Sequence, residues 1–78
     1  MFKRNKIKQL RKNELMLSYE YLWVKRVIIS CKTVEQLHVA DNLIIALSNK
    51  YKNRVTDYFL IRIIDILDRI CYQKILSV

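Results

Sequence analysis

The chain has 78 residues, no glycine, no proline, 53% hydrophobic residues and a formal net charge of +8. An average chain of this length contains about five glycines and four prolines. Their absence excludes glycine-rich phosphate loops, dinucleotide-binding fingerprints and nucleophile elbows, because each of these needs a residue without a Cβ atom. It also disfavours folds with many tight hairpins. The composition therefore predicts one small all-α domain.

The first predicted element is a helix over residues 13–30. Its buried face is indicated by apolar residues at steps of four and three, which are Leu17, Tyr21, Val24, Ile28 and Cys31. Asn13 is the predicted N-cap, because the cations before it oppose the positive end of a helix. We therefore expect residues 1–12 to be a basic arm that is frayed when free and ordered by an anion.

The second predicted helix spans residues 34–50. Thr33 and Gln36 have the spacing of a capping box, in which each side chain satisfies a backbone N–H group at the start of the helix. The predicted inner face has a heptad-like spacing and consists of Leu37, Ala40, Ile44, Leu47 and Tyr51. This helix has the clearest local signal in the chain.

The third predicted helix spans residues 54–76, with Asn53 as its N-cap. Two adjacent apolar stripes run along it, one of Phe59, Ile63, Ile66 and Ile70 and one of Leu60, Ile64, Leu67 and Cys71. An apolar arc this wide contacts two partners, either the other two helices or one of them and a second copy in a homodimer. Short connections then predict an antiparallel up-down-up three-helix bundle.

This topology predicts where the positive charge lies. The start of the first helix and the connection between the second and third helices share one end of an up-down-up bundle. That end collects nine cations, six from the arm and three from the connection, and they are Lys3, Arg4, Lys6, Lys8, Arg11, Lys12, Lys50, Lys52 and Arg54. Such a cluster suits an anionic partner. The alternative is a solvated tail that only aids solubility.

A second candidate surface lies beside the core face of the first helix. Aromatic residues and methionine are enriched at protein interfaces, and the predicted partner face consists of Met16, Tyr19, Trp23 and Val27. The alternative is that this strip packs on the third helix.

No catalytic or metal-binding pattern is present, and we expect neither an enzyme nor a cofactor. Cys31, His38 and Cys71 are predicted at the opposite end of the bundle, but a structural zinc site needs four ligands. A nucleophile pair needs a third group that orients the base. We therefore expect two buried thiols and a surface histidine. A disulfide between the two cysteines is geometrically conceivable, but two cysteines and no secretory signal indicate an intracellular protein with reduced thiols.

The stretch ISCKTVEQLHVADNLI over residues 29–44, together with Lys50 and Tyr51, resembles small uncharacterised helical proteins that bacteriophages encode. The resemblance covers about a quarter of the chain. Such proteins have no fixed chemistry, so the resemblance implies no site residues. It implies a phage accessory or virion-associated protein that acts by binding, in the host cytoplasm or in the virion.

The sequence thus predicts a small non-enzymatic binding module that engages nucleic acid or a ribonucleoprotein through its basic pole. Readout would be mostly of phosphate, because no base-reading motif is present. The alternative is a phage-like protein-interaction factor, an inhibitor or a virion component, that binds an acidic protein partner. Adsorption to a membrane surface through Phe2, Ile7 and Leu10 is a weaker alternative, because one short segment binds lipid only marginally.

Overall fold

The computed structural model describes the backbone of residues 2–78 and the side chains of residues 8–78. Three helices follow each other along the chain: α1 (Phe2–Ser30), α2 (Val34–Tyr51) and α3 (Asp57–Ser77). Each helix packs against both of the others. The prediction of an all-α three-helix bundle is confirmed.

The core lies along the axis of the bundle. Within residues 8–78 it contains thirteen buried hydrophobic residues that form one cluster, and they are Leu17, Val24, Ile28, Cys31, Leu37, Ala40, Ile44, Leu47, Tyr51, Val55, Leu60, Leu67 and Cys71. All five residues of the predicted inner face of α2 belong to it. On α3 the stripe through Leu60 and Leu67 is the more buried of the two predicted stripes, whereas Ile66 is partly exposed.

Helix α1 begins much earlier than the sequence predicted. The expected start at residue 13 is wrong, because the backbone is helical from Phe2 onward and Asn13 lies inside the helix. Lysine, arginine, glutamine and leucine are strong helix formers, and the segment contains no glycine or proline that would end a helix. Their propensity outweighs the unfavourable interaction of cations with the positive helix end, which is worth only about 0.3–1 kcal/mol per charge.

The start of α2 confirms Thr33 as the N-cap. The Thr33 hydroxyl accepts a hydrogen bond of 3.1 Å from the backbone N–H of Gln36. The return bond differs by one residue from the predicted box, because the Gln36 side-chain oxygen accepts from the N–H of Lys32 at 2.7 Å. Both bonds satisfy backbone donors that the short connection leaves without helical partners.

The start of α3 corrects the second predicted asparagine cap. Thr56, not Asn53, is the N-cap, and its hydroxyl accepts from the backbone N–H of Phe59 at 3.4 Å. Asn53 instead adopts a left-handed conformation with φ of 67°. Asparagine tolerates this region better than most residues, so it takes the place that glycine usually has after a helix.

Candidate nucleic-acid interface

The basic segment of α1 projects beyond the rest of the bundle. Asn13 lies level with Arg54 in the connection between α2 and α3. Gln9 and Leu10 still line a cleft with Asn53 and Arg54, and the residues before them extend past that connection. At a rise of about 1.5 Å per residue, the segment from Phe2 to Asn13 is about 16 Å long. This projection agrees with an elongated molecule of 51 × 17 × 15 Å.

Among the described side chains of this projection, the three predicted cations are all exposed to solvent: Lys8, Arg11 and Lys12. The predicted cations Lys3, Arg4 and Lys6 lie on the helical backbone, but their side chains are outside the described residues. Leu10 is half-buried, so the core face of α1 continues into the projection.

Asn13 joins the two basic segments. Its side-chain nitrogen donates a hydrogen bond of 2.8 Å to the backbone carbonyl oxygen of Arg54. Its side-chain oxygen accepts a hydrogen bond of 3.3 Å from Gln9, one turn earlier in α1. Asn13 therefore holds the connection between α2 and α3 against α1.

The connection contributes two exposed cations, Lys52 and Arg54. With the three exposed cations of the projection they form the surface that we call the basic end, and its residues are Lys8, Arg11, Lys12, Lys52 and Arg54. No ion pair engages these five side chains within the described part of the chain. The basic end therefore presents uncompensated positive charge to solvent.

The placement of Lys50 differs from the prediction. Its ammonium group forms a salt bridge and hydrogen bond with the Glu20 carboxylate, across the groove between α1 and α2. The same ammonium lies 5.5 Å from the centre of the Tyr51 ring. Lys50 is thus compensated by a carboxylate and is not a free cation of the basic end.

Glu20, Lys50 and Tyr51 form an interacting cluster. Burial tends to raise the pKa of Glu20, but the hydrogen bond from Lys50, the neighbouring Tyr51 hydroxyl and the Lys50 charge outweigh burial and lower it. Burial and the Glu20 carboxylate raise the pKa of Tyr51 to about 12. Glu20 Oε2 and the Tyr51 hydroxyl are both buried without a hydrogen bond of regular geometry in the described structure, although each pKa responds to the other group. The two groups are therefore adjacent but poorly aligned for a hydrogen bond.

The predicted partner face is largely exposed. Met16, Tyr19 and Trp23 are 44, 65 and 57% exposed, whereas Val27 packs partly against the core. Trp23 lines an open groove between α1 and α2, whose floor includes Val24. The alternative that the strip packs on α3 is therefore wrong for Trp23, because the neighbour of Trp23 is α2.

The opposite end contains the two cysteines, and both are buried and free as predicted. The Cys31 thiol donates to the carbonyl oxygen of Val27 at 3.1 Å. Burial raises the pKa of the Cys71 thiol, and the carboxylates of Asp41 and Asp68 and the Cys31 thiol raise it further. His38 is exposed, as expected for a surface histidine.

The groove between α2 and α3 is acidic. Asp68 lies in this groove, and its pKa is raised by burial and then by the charges of Asp41 and Asp65. Asp65 also forms a salt bridge of 3.1 Å with Arg69 on the same helix. Negative charge is thus concentrated on a different surface from the basic end.

Sequence reasoning missed the role of Asn13 as a connector and the pairing of Glu20 with Lys50. Both contacts join residues far apart in the chain, so no local spacing predicts them. Within residues 8–78, no three His, Cys, Asp or Glu side chains are grouped so that they could hold a metal ion. Across the described helices, none has an apolar stretch long enough to cross a membrane.

Comparison of the chain with protein-family models, with curated proteins and with solved structures gives no match.

Proposed function

We propose that this chain is a small binding module whose basic end engages nucleic acid, free or within a ribonucleoprotein, through phosphate groups. One observation carries the proposal: the hydrogen bond from Asn13 to the carbonyl oxygen of Arg54 joins two basic segments into one surface. Lysine and arginine side chains bind phosphate by charge-assisted hydrogen bonds. A surface of five exposed, unpaired cations is suited to a repeating polyanion.

The shape of the basic end supports a duplex as the partner. A helix with its side chains is about 10–12 Å wide, and the major groove of B-DNA is about 12 Å wide. The segment from Phe2 to Asn13 is about 16 Å long, so its projecting part is short and narrow enough to enter the groove with its cations near the phosphates. Contacts of this kind fix position on the duplex and carry no sequence information.

Fluorescence anisotropy with a labelled DNA duplex tests the proposal. Each phosphate neutralised by a cation contributes about −0.9 to the slope of log K against log salt, so the five described cations predict a slope of about −4 to −5. The slope becomes steeper if the three cations with undescribed side chains also contact phosphate. A flat salt dependence, or no binding at low salt, would remove the proposal.

A matched pair of charge reversals separates a local site from the effect of net charge. Arg11→Glu lies in the basic end, whereas Lys32→Glu changes net charge equally at the opposite end of the bundle, where Lys32 is exposed. We expect Arg11→Glu to weaken duplex binding at least tenfold and to make the salt slope shallower. Lys32→Glu should change affinity much less, and equal losses would show that no local site exists.

The exposure of Trp23 and Tyr19 favours a second candidate, a protein-interaction factor that binds an acidic protein surface. Aromatic side chains of this kind serve as interface anchors, and phosphate binding does not need them. Trp23→Ala distinguishes the candidates. Unchanged duplex affinity in this variant supports the nucleic-acid function, whereas a chain that binds no duplex in any variant leaves the second candidate as the better one.

A further inference from the structure

Helix α1 has a second apolar stripe on the side opposite its core face. Leu15, Leu22 and Ile29 follow each other at intervals of seven residues, and Tyr19 lies between the first two. Their side chains are 57, 48, 53 and 65% exposed, respectively. We call these four residues the outer stripe. A helix that is apolar on two opposite faces usually has protein on both.

The rest of the chain already covers the inner face of α1. Leu17, Val24 and Ile28 are at most 2% exposed, because they pack into the core with α2 and α3. No described residue of the chain buries the outer stripe in the same way. The outer stripe is therefore open to a partner from another molecule.

The charges around the outer stripe are all positive. Lys8 lies seven residues before Leu15, and Lys12 and Arg26 lie seven residues before and after Tyr19. These three cations therefore occupy the same heptad positions as the stripe, and all three are exposed. The two carboxylates of α1, Glu14 and Glu20, are half-buried beside the core face, and Glu20 is paired with Lys50. The outer face of α1 thus combines an apolar stripe with flanking cations and lacks a described carboxylate.

We infer that the outer stripe binds an acidic amphipathic helix of another protein. Residues at alternating steps of three and four form the seam of a two-helix contact, and the stripe from Leu15 to Ile29 covers two heptads, or about 21 Å. Aspartate or glutamate beside the apolar seam of the partner would face Lys12 and Arg26. The four apolar residues of the stripe lie outside the basic end, although Lys8 and Lys12 flank both surfaces, and the test of this inference does not depend on duplex binding.

Charge complementarity selects this occupant over the outer stripe of a second copy of the chain. Each copy has a net charge of +8, and pairing two outer faces would bring their cations together without a compensating carboxylate. Like charges at the flanks of a helix pair oppose association. Arg26 also interrupts the stripe. A carboxylate on a partner helix can pair with Arg26, whereas insertion into lipid suits a continuous apolar face without such a charge.

Two synthetic peptides of about three heptads, both with leucine at the seam and both without tryptophan, test the inference. One has glutamate at the flanking positions and the other has lysine. Trp23 is the only tryptophan and lies next to the outer stripe, so its fluorescence reports binding. We expect a saturable blue shift with the glutamate peptide and at least tenfold weaker binding of the lysine peptide.

Three variants locate the contact. Leu22→Asp should weaken binding of the glutamate peptide at least tenfold, whereas Ile61→Asp, at a residue 66% exposed on α3, should leave it unchanged. Arg26→Glu should weaken binding of the glutamate peptide and strengthen binding of the lysine peptide. This charge reversal keeps the inference testable if circular dichroism shows that Leu22→Asp does not fold. Equal affinity for both peptides, no effect of Arg26→Glu, or a blue shift only with anionic phospholipid vesicles would overturn the inference.

Discussion

The side chain of Asn13 donates a hydrogen bond of 2.8 Å to the backbone carbonyl oxygen of Arg54, 41 residues later in the chain. This bond ties the middle of α1 to the connection that carries two cations of the basic end. Its donor is a side chain and its acceptor is a backbone group that has left the helical hydrogen-bond pattern. The Asn13 amide is therefore one of the contacts that fix the geometry of the basic end, together with the buried residues Tyr51 and Val55 on either side of the connection.

Asn13→Ala should lower the free energy of unfolding by about 1 kcal/mol, the usual net worth of one intramolecular hydrogen bond. Urea unfolding followed by circular dichroism measures the change. Asn42→Ala is the control, because Asn42 is exposed on α2 and makes no side-chain hydrogen bond in the described structure. Equal stability of the two variants would contradict a structural role for the Asn13 bond.

Asn53 provides a second test of the same connection. Asn53→Ala should destabilise the protein by about 1 kcal/mol, because a Cβ atom without a local hydrogen-bonding group is unfavourable at a φ of 67°. Asn53→Gly should be neutral or slightly stabilising, since glycine adopts positive φ without steric cost. The melting temperature of Asn53→Gly should therefore be higher than that of Asn53→Ala, and the reverse order would disprove the assigned conformation.

Tyr51 predicts a loss of stability at alkaline pH. Its pKa is raised to about 12 in the folded protein, above the ordinary value of 10.0, so the folded state holds the hydroxyl proton more strongly than the unfolded state. The stability linked to this group is present below pH 10 and is lost as the pH rises toward 12.

We expect Tyr51→Phe to reduce this alkaline loss, because phenylalanine has no proton to release. Urea midpoints, measured on both sides of pH 10, should fall less for the variant than for the parent chain as the pH rises. Tyr72→Phe is the control, because Tyr72 is 63% exposed and lies near the C-terminal end of α3, far from Tyr51 at the end of α2. A pH profile of Tyr51→Phe identical to that of the parent would contradict the raised pKa.

Asp68 predicts a stabilising substitution. Burial and the charges of Asp41 and Asp65 raise its pKa, so ionised Asp68 is less favourable in the folded protein than in the unfolded chain. Asp68→Asn should therefore raise the melting temperature at neutral pH and low salt. The rise should be only about 1–3 °C, because solvent reaches much of Asp68 and screens its charge.

Asp57→Asn should change the melting temperature in the opposite direction and serves as the control for Asp68→Asn. Asp57 is the first residue of α3, where a negative charge interacts favourably with the helix dipole. Its loss should lower the melting temperature. Both shifts should shrink as salt is added, and a fall in melting temperature for Asp68→Asn would show that its charge is not unfavourable.

Local sequence signals predicted α2 better than the other helices. A threonine cap and a regular inner face placed its start at Val34 and its end within one residue of Tyr51. Each signal depends on side chains within a few positions of each other, so the sequence contains the needed information. The start of α1 was predicted wrongly, because the charges of the residues before Asn13 were given more weight than the helix propensity of those residues.

The candidate site was predictable in outline only. Topology brought the first helix and the second connection to one end, and the contact between Asn13 and Arg54 agrees with that arrangement. The sequence did not indicate that Glu20 neutralises Lys50, because this pair depends on the rotation of α1 against α2. The outer stripe of α1 has a visible heptad spacing, but only the structure distinguishes it from the core stripe, since both are apolar.

The length of α1 also determines how a polyanion senses this molecule from a distance. The screening length in physiological salt is about 8 Å, whereas the molecule is 51 Å long. The aspartates of the groove between α2 and α3 therefore cancel little of the field at the projecting tip. The charge within about one screening length of the basic end, rather than the net charge of the whole molecule, would therefore govern how a polyanion approaches it.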